Sequence, residues 1–299
     1  MTTLYIITGP TASGKSARAM DLAAQTDGVI VNADSVQVYD TLPILSAQPS
    51  AEDFQAAPHK LYGYRHPNED CSAGNWREDT LHTIREILAE GKTPVIVGGS
   101  GLYIKALTEG FSPIPDIPED VRARAVALQA ELGNPAFHAE LQKRDPVMAA
   151  RFHPFHTARL VRAWEVLEAT GKSLADWQAI PKELPPAEWM FDITLVMPDK
   201  DVLDQRCDAR FDWMMQNGAM EEIEAFDAVV TRGDIREDAL IHRALGARPL
   251  REYLHGHLSK EDAIVRAKTD TRQYAKRQLT WFRHQVRPQK NIAKIEKVS

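Results

Sequence analysis

The chain has 299 residues, 43% hydrophobic, 26% charged and 7% aromatic, the composition of a soluble globular protein with room for one large domain or a core carrying an insertion. Two cysteines, Cys71 and Cys207, with no C-x-x-C pair exclude a cysteine-built zinc module and suit a reducing cytoplasm. A net charge of −6 argues against a generic nucleic-acid binder, no apolar run reaches the ~18 residues of a membrane span, and the immediate start of a strand leaves no place for a signal peptide.

In chain order, Leu4-Tyr5-Ile6-Ile7-Thr8 is a short apolar, β-branched run that predicts a buried strand. Gly9, Pro10, Thr11, Ala12, Ser13, Gly14, Lys15 and Ser16 follow as a complete G-x-x-x-x-G-K-[ST] loop. Met20, Ala23 and Ala24 then recur at helical spacing, with Arg18 and Asp21 on the wet face. Val29-Ile30-Val31 predicts a second strand leading into Asn32-Ala33-Asp34. Residues 78–90 predict a helix with Leu81, Ile84, Ile87 and Leu88 on one face, stopped by Gly91. Pro94-Val95-Ile96-Val97 is the next strand, running into Gly98-Gly99-Ser100-Gly101. Strands alternating with helices imply an α/β fold, a P-loop-type mostly parallel sheet flanked by helices.

The alternation lapses at the proline-rich stretch 111–118. Helices are expected over 119–132, 135–143, 146–151 and 157–170, with breaks at Gly133, Pro146, Pro154 and Gly171. A second proline-rich stretch, Pro181 to Pro186, precedes a strand at 191–196, and residues 199–285 read as helical. The expected organisation is a core of residues 1–112 and 187–299 interrupted by an all-helical insertion at 113–186.

The loop at 9–16 fixes a ligand class. Its backbone N–H groups and the following helix N-terminus cradle phosphate, Lys15 adds a mobile cation, and the Ser16 hydroxyl can ligate Mg²⁺. That makes it a nucleotide site, ATP included, or a site for another phosphate compound. Parallel strand ends are where such sheets bind ligands, so Asp34 and Ser100 are expected on the same edge. An Asp there serves as a general base, as a metal ligand, or as a helix cap. A hydrolytic motor of this class carries an acid for Mg²⁺ after the apolar strand, whereas Val97 is followed by two glycines and Ser100. A phosphorylated substrate that is consumed fits better. Arg206 and Arg210, one turn apart, could clamp phosphate oxygens or merely pair with surface acids. Residues 263–290 hold Arg266, Lys268, Arg272, Lys276, Arg277, Arg283, Arg287 and Lys290 against Asp270 alone, a basic patch interleaved with Tyr274, Trp281 and Phe282. It reads as a solvated helix face or as an RNA-backbone contact. The histidines form no H-E-x-x-H pair, and His255-Gly256-His257 reads as surface.

These residues together resemble the bacterial tRNA dimethylallyltransferases, the IPP transferase family. The likeness rests on the loop at 9–16, Asn32-Ala33-Asp34-Ser35-Val36-Gln37-Val38-Tyr39, Val97-Gly98-Gly99-Ser100-Gly101-Leu102-Tyr103, Asp145-Pro146, Ala149-Ala150-Arg151, Arg159-Leu160-Val161-Arg162-Ala163 and the string Thr271 to Arg283. The resemblance implies transfer of a dimethylallyl group from its diphosphate to the N6 of an adenosine beside the tRNA anticodon, in a monomer that needs Mg²⁺. By it, the loop holds the diphosphate, Arg210 contacts pyrophosphate, Asp34 is the general base, and Ser100 stands where a Thr is usual and keeps the hydroxyl near the reacting amine. Asp34, Ser35, Val36, Gln37, Ser100, Arg122, Ala158, Arg159, Leu160, Val161 and Arg162 match positions that contact tRNA. The adenine would be flipped from its stack, the insertion would grip the anticodon arm, and the basic helix would follow its backbone. The sequence departs from the family pattern at His153-Pro154-Phe155-His156, at Gly246-Ala247-Arg248 and at Leu45-Ser46-Ala47-Gln48-Pro49. Two other readings stand beside this one. A P-loop small-molecule kinase would turn over ATP with an acceptor, and a non-catalytic RNA-binding nucleotide sensor would not depend on the Asp34 carboxylate.

Overall fold

Six strands, all parallel, form one sheet in the order β3-β2-β4-β1-β5-β6 in the computed structural model, which describes residues 1–299. They are β1 (Thr2–Thr8), β2 (Gly28–Asn32), β3 (His59–Lys60), β4 (Thr93–Gly98), β5 (Trp189–Val196) and β6 (Ile292–Val298). The central strands are apolar on both faces because both are covered. Leu4, Ile6, Val31, Ile96 and Ile193 pack on one side with Trp76, Ile84 and Phe226. Ile7, Ile30, Val95 and Val97 pack on the other with Ala19 and Ala23 of α1 (Lys15–Thr26). Parallel register brings the carboxyl ends of β1, β2, β4 and β5 to one edge.

Helices α2 (Pro43–Ser46), α3 (Ala51–Ala56) and α4 (Ala73–Ala89) fall between β2 and β4, and α5 (Gly101–Glu109) follows β4. α4 starts before residue 78 because Ser72 and Asn75 form a reciprocal capping box. On α1 the buried stripe runs through Ala19 and Ala23, while Ala24 is exposed and Met20 half-buried. The fold expected from the sequence, a parallel α/β sheet with flanking helices, is the one observed.

The chain divides into two compact units, one of residues Met1–Thr108 with Pro185–Ser299 and one of Glu109–Leu184. The second is all helical: α6 (Glu119–Arg144), α7 (Pro146–Arg151), α8 (Thr157–Thr170) and α9 (Leu174–Ala179). α6 is broken at Gly133, whose φ of 71° and ψ of 164° no helix accommodates. Its core is Phe137, Leu141, Met148, Leu160, Ala163 and Trp164. Asp145, 3% exposed, caps α7 through Met148 N–H at 3.0 Å and accepts from Ser173 Oγ at 2.7 Å. The Asp145-Pro146 pair is thus a helix start, with Pro at N1.

The rest of the first unit is α10 (Lys200–Gln216), α11 (Ala219–Thr231), a 3₁₀ turn at Leu240–Arg243, α12 (Ala247–Leu254), α13 (Lys260–Gln285) and then β6. β6 carries no alternation of apolar and polar residues, being an edge strand with Lys294, Glu296 and Lys297 outward, and so left no strand signal in the sequence. β3 is two residues long and α9 six, too short for periodicity to register.

Candidate active site

The phosphate loop is shaped by close contacts. A Cβ on Gly9 would run into the Val196 carbonyl at the end of β5, and Gly14 takes φ 92° to start α1. The first turn of α1 carries no acid, so its N–H groups and dipole are left for an outside anion. Ser13 is 2% exposed and its Oγ has no hydrogen-bond partner. Lys15 Nζ donates to Pro10 C=O at 3.2 Å. Burial pulls its pKa from the usual 10.5 to about 8, with Asp34 opposing the shift and Arg210 adding to it.

α10 runs beneath this loop and delivers both arginines of the predicted pair. Arg206 Nη1 donates to Ser13 C=O at 3.2 Å, and Arg210 Nη2 to Thr11 Oγ1 at 2.6 Å. Burial lowers the Arg210 pKa, and one turn before it Cys207, wholly buried, is pushed up by the same cause. Both arginines thus bond to the phosphate loop, and neither is spent on a carboxylate.

Asp34 leaves β2 in a turn built by Asn32. Asn32 Oδ1 accepts Asp34 N–H at 2.8 Å, its Nδ2 donates to Asp34 C=O and Leu61 C=O, and Trp76 Nε1 donates to Asn32 C=O at 2.8 Å. Asp34 Oδ1 accepts Val36 N–H at 3.0 Å. The β4 end is laid against this turn. A Cβ on Gly98 would collide with the Ala33 backbone, Ser100 N–H donates to Ala33 C=O, and Ser100 Oγ accepts Ser35 N–H at 2.9 Å while donating to Ser35 Oγ at 3.2 Å. Gly98, at the end of β4, is therefore demanded by backbone approach, and Ser100 is fixed beside the Asp34 turn.

A cavity of about 840 Å³ joins these parts, lined by the loop from Thr11 to Ser16, by Asp34–Gln37, and by Arg206 and Arg210. Its remaining wall includes Leu45, Ala47, Tyr62, Ala244, Leu245 and Tyr274. A second cavity of about 400 Å³ shares Ser35, Val36, Arg243 and Tyr274 with the first and reaches Ser100, Arg277 and Trp281. Burial, with Asp34 next, raises the pKa of Tyr62 and lifts that of Tyr274 to about 12, so both phenols stay neutral donors. The Leu45–Ala47 lip is held from two sides: Gln37 Nε2 donates to Ser46 C=O and Ala47 C=O, and Glu222 accepts from Ile44 N–H and Leu45 N–H.

Some expectations change. Gln37 spends both amide hydrogens inside the protein. Arg122, Ala158, Arg159, Leu160, Val161 and Arg162 lie in the helical unit, outside both cavities. Arg122, Ala158 and Arg159 are exposed there, Val161 is half-buried, and Arg162 pairs with the buried Glu165 at 2.7 Å. Leu160 is fully buried in that unit's core and offers no side chain to a ligand. The basic helix α13 is partly neutralised: Arg272 pairs with Asp208, Lys268 with Asp212 and Arg266 with Glu252. Lys276 and Arg277 have no acid partner, and Arg277 lies over the Tyr274 ring at 5.7 Å. Tyr62, Arg243 and Glu222 were not singled out from sequence, because an isolated Tyr, Arg or Glu carries no spacing signal.

Comparison with known proteins follows the same lines. The sequence model described as IPP transferase matches residues 37–285. The chain is 47% identical over 283 residues to the tRNA dimethylallyltransferase of Rhodospirillum centenum, covering 95% of this chain and 89% of that protein. It is 44% identical over 284 residues to that of Agrobacterium fabrum, covering 94% and 93%. Among solved structures, the full-length tRNA isopentenylpyrophosphate transferase of Bacillus halodurans superposes with a TM-score of 0.66 at 32% identity, covering 100% of this chain and 92% of that one. A eukaryotic dimethylallyltransferase, solved acting on tRNA, gives 0.80 at 26% identity over 94% of this chain and 70% of that one.

Proposed function

The chain belongs to the IPP transferase family, and from that premise we propose that it prenylates tRNA, moving a dimethylallyl group from dimethylallyl diphosphate to the exocyclic N6 of the adenosine 3′-adjacent to the anticodon. The observation that carries the chemistry is one cavity whose lining holds three cations and the Asp34 carboxylate together. Lys15, Arg206, Arg210 and Asp34 all line it, and Ser100, on the wall of the adjoining second cavity, is tied to the Asp34 turn through Ser35.

In this reading the diphosphate lies in the loop from Gly9 to Ser16, with Lys15 and Arg210 on its oxygens. The unpartnered Ser13 Oγ and the unspent α1 N-terminus suit such an anion. The isoprenoid carbons face the apolar part of the wall, Leu45, Ala47 and Leu245. The adenine, flipped out of its stack, comes from the second cavity past Ser35 and Tyr274. Its N6 attacks C1 of the prenyl group, the C1–O bond breaks, and its electron pair leaves on pyrophosphate, whose charge Lys15 and Arg210 absorb. Asp34 takes the N6 proton, and the Ser100 hydroxyl orients the amine.

Ser16, a hard-oxygen donor on the cavity lining beside Lys15, would hold Mg²⁺ together with the bound diphosphate. When bound it would neutralise leaving-group charge. Of the Arg122 and Ala158–Arg162 positions, the exposed Arg122, Ala158 and Arg159 would grip the anticodon stem-loop. We read the working unit as a monomer, since the groups this reading uses can all be supplied by a single chain, and no helix is long and apolar enough to cross a membrane. A cytoplasmic tRNA pool is the fitting location. A small-molecule kinase is disfavoured by the β4 end, which brings Ser100 and no acid. The test is incubation with total tRNA and dimethylallyl diphosphate labelled in the prenyl carbons. Label in an N6-prenylated adenosine after nucleoside digestion is expected; label found only in the diphosphate or in prenyl alcohol would refute the reading.

A further inference from the structure

Gln278 of α13 is 7% exposed, and both ends of its amide are in use. Oε1 accepts from Thr11 N–H at 2.8 Å, and Nε2 donates to Gly99 C=O at 2.8 Å. The partners belong to different loops, the phosphate loop after β1 and the turn after β4 that ends in Ser100. The fit is close, since a Cβ on Gly99 would lie 2.7 Å from Gln278 Nε2. An acceptor on one side and a donor on the other is what a primary amide supplies; a carboxylate lacks the donor, and a thioether has no donor and only a weak acceptor.

The phosphate loop lines the first cavity, and the Gly99–Ser100 turn lines the second. Thr11 Oγ1 accepts from Arg210, and Ser100 Oγ holds Ser35 N–H beside Asp34. The stretch of α13 that presents Gln278 is itself anchored, because Ala275 and Leu279 pack with Leu203 and Cys207 of α10 and Ala12 lies against them. The bond from Thr11 also has a consequence for the loop: this N–H is spent on Gln278 and is not one of those that cradle phosphate.

We propose that Gln278 is a positioning residue for the transfer reaction, fixing the separation between the leaving-group loop and the Asp34–Ser100 turn through its two backbone bonds. The inference rests on the prenyl-transfer reading above. Near-attack alignment is sensitive to such spacing, a 1 Å error costing on the order of 100-fold.

The test compares wild type with Gln278→Met and Gln278→Glu in single-turnover transfer at saturating dimethylallyl diphosphate and tRNA anticodon stem-loop, with pyrophosphate affinity measured separately. Gln278→Met is expected to slow transfer roughly 30- to 100-fold while the pyrophosphate Kd stays within about 3-fold. Gln278→Glu keeps the acceptor for Thr11, loses the donor to Gly99, and is expected to fall between. Transfer within about 3-fold of wild type in a folded variant, or a rate loss matched by an equal loss of pyrophosphate affinity, would overturn the proposal. If the Met variant does not fold, the isosteric Glu variant decides on the same two criteria. A wild-type protein that transfers no prenyl group would instead overturn the underlying reading, before any variant is compared.

Discussion

Asp34 and Lys15 are the two residues whose protonation the proposed chemistry turns on. Asp34 Oδ1 already holds Val36 N–H, a bond that an Asn side chain can keep. Asp34→Asn should therefore fold and bind tRNA as wild type does, but lose about 10²- to 10⁴-fold in single-turnover prenyl transfer, because no group accepts the N6 proton. Turnover close to wild type would remove Asp34 from the mechanism. Lys15 makes a pH prediction. Its pKa in the folded protein is about 8 against 10.5 ordinarily, so the empty site sheds the proton as pH rises through about 8. Pyrophosphate needs the charged form, so the Lys15 share of its affinity should fall above that pH, by up to about tenfold per unit. The stability effect has the opposite sign: between about 8 and 10.5 the unfolded chain holds a proton the folded chain has lost, and stability from this group rises with pH. Titration of pyrophosphate binding for wild type and Lys15→Met checks this, the variant lacking the extra slope. Identical pH profiles would leave Lys15 uninvolved.

Helix α13 shows how charge counted along a sequence overstates charge available to a partner. Arg266, Lys268 and Arg272 look like cations of an RNA face, yet each meets an acid on a neighbouring helix. Lys276 and Arg277 keep theirs. The Lys276→Ala, Arg277→Ala double variant should thus reduce the slope of log Kd against log salt for tRNA by about 1 per charge, while Arg272→Ala alone leaves it nearly unchanged. Equal effects from Arg272 and from the pair would mean that the Asp208 bond opens on binding. The same element explains what could be read early and what could not. Lys15, Asp34, Arg206 and Arg210 were legible because a loop motif, a strand end and a one-turn spacing each fix where a side chain points. Gln278 was not, because a neutral amide inside a basic helix has no pattern, and its value comes from two loops far away in sequence. The glycines at the end of β4 were read as a missing acid; the Ala33 backbone leaves no room for a side chain at Gly98, and the Gln278 amide and the Trp281 ring lie close over Gly99 and Gly101.

Across the whole molecule, alternating apolar runs and helical periods made the parallel sheet legible, since each central strand is buried on both faces. β6 and β3 escaped because edge strands lack that burial. The proline-rich stretches mark the change from sheet to helices, and Glu183 N–H donates to Phe111 C=O at 2.9 Å where the helical unit's two ends meet. The sheet edge gathers a phosphate loop, two arginines and a carboxylate, a set that suits transfer from a diphosphate rather than hydrolysis for energy. Reaction balance tests that most directly. With a single purified tRNA, dimethylallyl diphosphate and Mg²⁺, pyrophosphate released and N6-prenylated adenosine formed should match one for one, with added ATP unconsumed. ATP turnover, or pyrophosphate release without modified adenosine, would contradict it.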